Sequence, residues 1–231
     1  MDLVRIISVD VLLNCILPKT GERSSFIFRD PRNYRDIPVE MGGDSNEQNT
    51  IGENFVSTTE NNFLVSCWHS LECFSVAEFF DMHEGDAKVA IVSSVEAVEK
   101  LGKTLFEHYQ KKGLLQEFRH CKVHYYDLGQ ASRPTDQALP GYCLDAAFRK
   151  AKVYKNHNYE REQEYRFAYR MSSSAQIERI VFYVNPREYL SKIYLSPVPQ
   201  EVIHQVWSHL NCWDIRFTDS SGKLAEICLR P

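Results

Sequence analysis

The chain has 231 residues, of which 43% are hydrophobic and 12% aromatic, enough for one generous core or a core with a small subdomain. A formal net charge of −4 and a pI near 6.1 disfavour broad nucleic-acid binding, which needs a basic face. Seven cysteines, an odd number without CxxC spacing, speak against a disulfide framework or a zinc site and for buried thiols in a reducing cytosol.

The first segment, MDLVRIISVDVLLNCILP, is interrupted by Asp2, Arg5, Asp10 and Asn14. It reads as a strand or buried segment through Val4, Ile6, Ser8 and Val11, not as a secretion signal. No run reaches the roughly 20 apolar residues of a membrane span, so no membrane partner is expected. Residues 41–60 are polar and Gly-rich and read as a loop, as do residues 129–141 with two prolines. Between them, NFLVSC at Asn62–Cys67 reads as a strand, and Glu72–Met82 as a helix with Phe74, Val76, Ala77 and Phe80 at helical spacing.

KVAIVS at Lys88–Ser93 is a short apolar run and reads as a buried strand. Ser94 is placed to cap a following helix, whose apolar stripe is Val95, Val98, Leu101, Leu105 and Tyr109. Ala97 stands where a capping box would need Glu, and Gly113 is placed to end the helix. CKVHYY at Cys121–Tyr126 alternates as a strand, and Leu144–Val153 reads as a short helix or turn. Strands are expected at Arg161–Arg170 and Glu178–Val184, paired through the polar MSSSAQ connection. Lys192–Leu195 reads as a strand, Val198–Leu210 as a helix and Trp213–Phe217 as a final strand. Interleaving without a βαβ rhythm predicts a single α+β domain over residues 1–231, with a mixed, mainly antiparallel sheet and packed helices. GxGxxG, Walker A, HExxH and GxSxG are all missing.

The order of several short motifs carries more than any one of them. SCWHSLE at Ser66–Glu72 is followed by a helix, KVAIVSS at Lys88–Ser94 and VHYYD at Val123–Asp127. FRKAKVYKNHNYEREQEYRFAY at Phe148–Tyr169 and KIYLSPVPQEVIHQVWSHL at Lys192–Leu210 complete the series. From residue 63 to the C-terminus this resembles the bacterial domain-of-unknown-function family 2971. The chain departs from that family where its helix carries a Trp and a Tyr, since Ala77 and Phe80 stand there. The resemblance implies a bacterial cytosolic protein of the kind found in stress or phage-defence settings.

The densest chemistry lies in YEREQEYRFAYR, Tyr159–Arg170. Period-two geometry places Glu162, Glu164 and Arg166 on one strand face and Tyr165, Phe167 and Tyr169 on the other, core-facing one. Glu164 then orients a sugar hydroxyl or acts as a base, with Arg166 holding a phosphate or carboxylate in its planar fork. The alternative is an Arg–Glu ion pair on a sheet face. Glu-x-Glu after a Ser-bearing strand is also similar to the ADP-ribosyltransferase group. That likeness implies NAD as cofactor, Ser66 and a glutamate on its ribose, and Arg29 as the early-strand arginine.

Cys67 and His69, two apart, share a strand face, with Glu72 as an orienting group if they form a nucleophilic pair. The alternative is a buried thiol beside a half-exposed imidazole. Trp68 reads as core or as a stacking platform. His69, His83, His120, His124 and His157 lack the local pairing of a zinc site, so no metal is expected. Lys150, Lys152 and Lys155 with Tyr154 and Tyr159 form a basic, aromatic cluster that reads as a solvated face.

Together these features predict an enzyme, or an enzyme-derived effector, acting on a small nucleotide-like or phosphate-bearing ligand. Its pocket would join Ser66, Trp68 and His69 to Glu162, Glu164 and Arg166. A non-catalytic protein-interaction module with a degenerate pocket is the rival.

Overall fold

A computed structural model describes residues 1–18, 24–29, 63–72, 75–76, 78, 88–126, 147–151, 153–154, 157–172, 177, 179–195, 209, 217–219 and 225–228. The fold is α+β with a mixed, mainly antiparallel sheet, as the sequence predicts. Internal contacts divide the chain into two units, one of Met1–Phe26, Ser70–Leu101 and Val181–Pro231, the other of Ile27–His69 and Gly102–Ile180.

The first unit grows around the apolar run at Lys88. Strand β1 (Asp2–Ser8) pairs antiparallel with β4 (Lys88–Ser94), and β4 with β12 (Leu190–Leu195). Beyond β12 lie β14 (Ala225–Cys228) and β13 (Phe217–Asp219), both antiparallel to their neighbours. Val89, Ala90, Ile91 and Val92 are all buried, as a strand covered on both faces requires. One face packs Val4, Ala90 and Val92 against Ile6, Leu71, Val76 and Tyr194. After β1 the chain turns at once: Ser8 Oγ accepts from Val11 N at 3.2 Å and caps the helical turn α1 (Val9–Val11). A π-turn at Leu12–Ile16 follows, closed by Leu17 N on Leu12 O at 2.7 Å.

Helix α2 (Val95–Gln110) begins in this unit, and the boundary between units falls inside it, after Leu101. Ser94 Oγ accepts from Ala97 N at 3.1 Å, the predicted cap. The Glu96 carboxyl is held below its usual range by its own backbone N–H, then by the Ser94 hydroxyl and the chain's N-terminal amine. Val95, Val98, Leu101 and Leu105 of the predicted stripe are buried, and its last member, Tyr109, is half-buried. Gly113, at φ +69°, ends the helix with a paired closure: Gly113 N bonds Gln110 O at 2.9 Å, and Leu114 N bonds Tyr109 O at 3.1 Å.

The second unit is centred on β10 (Glu164–Met171), which pairs antiparallel with β3 (Phe63–Ser70) on one side and β5 (Leu115–Lys122) on the other. Arg29 of β2 (Ser25–Arg29) stands opposite Val65 of β3. Tyr165, Phe167 and Tyr169 do form the core-facing row. Tyr169 packs on Phe28 at 4.3 Å and Phe118 at 5.0 Å between ring centroids, and its hydroxyl donates to Gly102 O at 2.9 Å. The opposite face packs Phe63, Val65 and Ala168 under Ala147 and Phe148. β6 (His124–Tyr126) pairs parallel with β7 (Arg149–Ala151), and β8 (Val153–Tyr154) antiparallel with β9 (His157–Asn158).

Several expectations are corrected. The strand expected at Cys121–Tyr126 starts earlier, at Leu115, because the Gly113 turn feeds the chain straight into β5; it breaks at Val123, whose N–H turns aside to Glu164 O at 2.8 Å. Of Leu144–Val153, read as a short helix or turn, Ala147–Phe148 form a turn and Arg149–Ala151 and Val153 are strand, with residues 144–146 and 152 outside the described residues. β10 does not pair with β11 (Arg179–Tyr183), since its two edges are taken by β3 and β5. Of the strand expected at Trp213–Phe217 only Phe217 is described, at the start of Phe217–Asp219, with residues 213–216 outside the described residues; a further strand lies at Ala225–Cys228. Most of the helices expected at Glu72–Met82 and Val198–Leu210 lies outside the described residues, as do residues 41–60 and 129–141. Val76, Glu78 and His209 within them are helical. No helix among the described residues is long and apolar enough to cross a membrane.

Candidate functional site

Register decides which candidates can meet. Across β3 and β10, Glu164 faces His69, Arg166 faces Cys67 and Ala168 faces Val65. Across β5 and β10, Arg166 faces Cys121, Ala168 faces Arg119 and Arg170 faces Glu117. Paired residues share a face, so one face of this three-stranded sheet carries His69, Cys67, Glu164, Arg166, Cys121, Arg119, Arg170 and Glu117. The other carries Leu64, Ser66, Trp68, Tyr165, Phe167 and Tyr169.

The predicted pocket is therefore split. Ser66 and Trp68 lie behind the sheet from Glu164 and His69, because alternate residues of a strand point to opposite faces. Both are fully buried, and the Trp68 indole N–H donates to Ser66 Oγ at 3.2 Å. Trp68 is core here, with no ring face open for stacking. Ser66 and Glu164 stand on opposite faces of the sheet. Glu162 is displaced as well. Tyr159–Glu162 is a 3-10 turn, and Gln163 at φ +47° re-aims the chain before β10 starts at Glu164. Period-two reasoning across residues 162–166 failed at that left-handed residue. Arg29 is placed by its backbone register with Val65, two residues along β3 from Cys67.

Glu164 and Arg166 form a bidentate ion pair. Arg166 Nε lies 2.8 Å from Glu164 Oε1 and Nη2 3.0 Å from Oε2, while Nη1 donates to Ala147 O at 3.0 Å. Arg166 is 2% exposed and Glu164 3%. The guanidinium thus braces the strand face to the turn at Ala147. In this arrangement it offers no surface to an incoming anion, and Glu164 offers none to a sugar.

His69 is arranged differently. It is half-buried, and its Nδ1 lies 2.8 Å from the backbone carbonyl of Glu162. A carbonyl only accepts, so Nδ1 carries the hydrogen. The displaced Glu162 therefore serves this site through its backbone. Cys67, a half-buried free thiol, shares the face with His69 as predicted. Glu72 sits exposed in the turn after β3.

Sequence reasoning missed the charged end of this face. Glu117 takes two arginines: Arg119 Nε at 3.1 Å from Oε1, and Arg170 Nε at 3.3 Å from Oε2, the latter within ion-pair range but without hydrogen-bond alignment. Their side chains are 45% and 33% exposed. The alternation of Glu117, Arg119 and Cys121 against Phe118 and His120 carried the signal, but β5 was not drawn back that far. His120, weighed in the sequence only as a zinc ligand, has its Nδ1 2.7 Å from the Tyr165 hydroxyl within the aromatic row.

His124 is exposed. The side chains of His157, Lys150, Tyr154 and Tyr159, and residues His83, Lys152, Lys155, Ala77 and Phe80, lie outside the described set. Among the described residues no three His, Cys, Asp or Glu side chains gather as metal ligands. Comparison with protein-family models, curated proteins and solved structures finds no match to this chain.

Proposed function

We propose that the protein is a small enzyme, or an enzyme-derived effector, acting on a nucleotide-like or phosphate-bearing ligand at the charged face of β3, β10 and β5. The observation that carries this reading is His69, an imidazole held by its Nδ1 on the Glu162 carbonyl and standing across from Glu164 in the β3–β10 register. A half-exposed histidine with one nitrogen committed is built to exchange a proton through the other. Arg119 and Arg170, both partly exposed on this face, present guanidinium forks of the kind that suits phosphate. Glu164 and Arg166 are positioning residues in this reading, and NAD is one ligand of the required class. Free thiols at Cys15, Cys67 and Cys121 support a reducing, cytosolic setting, and a stress or phage-defence role follows from the family resemblance alone.

One observation favours the rival, a non-catalytic protein-interaction module. The two strongest candidates in the sequence close on each other and are buried, as in a pocket that has lost its ligand.

Thermal shift with NAD, ADP-ribose and nucleoside triphosphates separates the two readings, using His69→Asn and Arg119→Gln as variants. Asn retains a donor for the Glu162 carbonyl but cannot exchange a proton. A ligand that binds the native state raises the Tm. The enzyme reading expects a rise that weakens in Arg119→Gln, and turnover lost in His69→Asn while binding persists. No rise with any of them, all proteins being folded, moves the assignment to the interaction module.

A further inference from the structure

The first unit holds a second polar cluster that the sequence did not announce. On β1, Arg5 stands in register with Ile91 of β4, which in turn faces Ile193 of β12. Its neighbours on the same strand face are Leu3 and Ile7. A guanidinium thus rises from an otherwise aliphatic face, and no carboxylate among the described residues pairs with it.

Two hydroxyls are buried nearby without partners. Tyr189, just ahead of β12, is 2% exposed; its carbonyl accepts from Ser93 Oγ and its ring meets Phe26 edge-on at 5.1 Å. Ser24, just ahead of β2, is 3% exposed and its carbonyl accepts from Val184 N at 3.1 Å. The backbone on both sides is therefore satisfied. Tyr189 OH and Ser24 Oγ nevertheless have no hydrogen-bond partner. They lie close to each other without reaching hydrogen-bond alignment, and the Arg5 charge is felt at the phenol.

Buried hydroxyls without partners are costly and rare in folded proteins. Here they sit beside a cation that can only donate. A guanidinium and two hydroxyls, all able to donate, are matched better by an oxyanion, which offers several lone pairs, than by a single water, which offers two. We propose that Arg5, Ser24 and Tyr189 form a binding site for an oxyanion, the phosphate or carboxylate group of a small ligand. The site lies wholly within the first unit and does not depend on the His69 face.

The test is calorimetric titration and thermal shift of the full chain with inorganic phosphate in one arm and acetate in the other. Arg5→Gln, Tyr189→Phe and Ser24→Ala are compared with Arg179→Gln, which removes an exposed charge of β11 in the second unit. The expected result is saturable binding by one of the two anions, weakened about tenfold or more in Arg5→Gln and Tyr189→Phe and unchanged in Arg179→Gln. The arm that saturates identifies the anion. Should Arg5→Gln fail to fold, the two hydroxyl variants carry the comparison. Binding retained in both Tyr189→Phe and Ser24→Ala overturns the proposal, and locates any anion at the charged face instead. So does the absence of saturable binding by either anion, which leaves ordered water as the occupant.

Discussion

Glu164 and Arg166 were legible in the sequence as a pair on one strand face, and that much holds. What the sequence could not give was their burial, which depends on the turn at Ala147–Phe148 folding over the face. Burial changes what a substitution measures. Glu164→Ala leaves Arg166 charged, buried and short of two partners, a loss of about 3–5 kcal/mol. Replacing both residues by apolar ones of similar volume, Glu164→Leu with Arg166→Met, removes both charges and recovers most of that loss. Urea denaturation of the single and double variants checks this. A single variant within about 1 kcal/mol of wild type would mean that the pair is solvated and open to ligand after all. The same logic explains why His69 is the better probe of chemistry: its anchor is a backbone carbonyl, which side-chain substitution leaves in place.

At the scale of the element, α2 shows both what sequence pattern reveals and where it stops. Its cap, stripe and terminating glycine follow from local rules and are found as read. Gly102 does not follow from them. A Cβ there would lie 2.4 Å from Phe118 Cζ, because the β5 ring packs against the helix backbone where Tyr169 also reaches Gly102 O. Helix propensity alone favours Gly102→Ala by about 1 kcal/mol. The clash opposes it: Phe118 must leave the aromatic row, at a typical overpacking loss of about 1–3 kcal/mol. Net destabilisation is expected, whereas Ser94→Ala should lose about 1 kcal/mol through the cap alone. Thermal melts of the two variants are the measurement, and a stabilised Gly102→Ala would show that Phe118 has room to move. β5 itself escaped the pattern because its alternation sets charge against aromatics instead of polar against aliphatic residues. The β10–β11 hairpin was misread for a different reason. Sequence adjacency suggests pairing, but both edges of β10 are satisfied by strands distant in sequence.

At the scale of the whole molecule, two of the buried phenols among the described residues, Tyr169 and Tyr189, shape the response to alkali. Burial pushes the Tyr169 hydroxyl well above its ordinary value of 10.0. Burial also raises Tyr189, with the Arg5 charge and Ser24 pulling it partly back and Cys15 adding to the rise. In both, the folded chain holds the phenolic proton more tightly than the unfolded chain does. Their contribution is therefore complete below the unfolded pKa, near pH 10, and is lost as pH rises from there toward the folded values. Each group lowers unfolding free energy by about 1.4 kcal/mol per pH unit in that window. Tyr189→Phe should remove about half of this slope. It should also do so without destabilising the protein near neutrality, since the hydroxyl it deletes has no partner. Tyr169→Phe should remove the other half but start from a lower stability, having given up the bond to Gly102 O. Urea denaturation between about pH 8 and about pH 11 reads both slopes. An alkaline slope unchanged in the double variant would mean that water reaches these hydroxyls. It would also undercut the oxyanion site, whose donors must be dry to be short of partners.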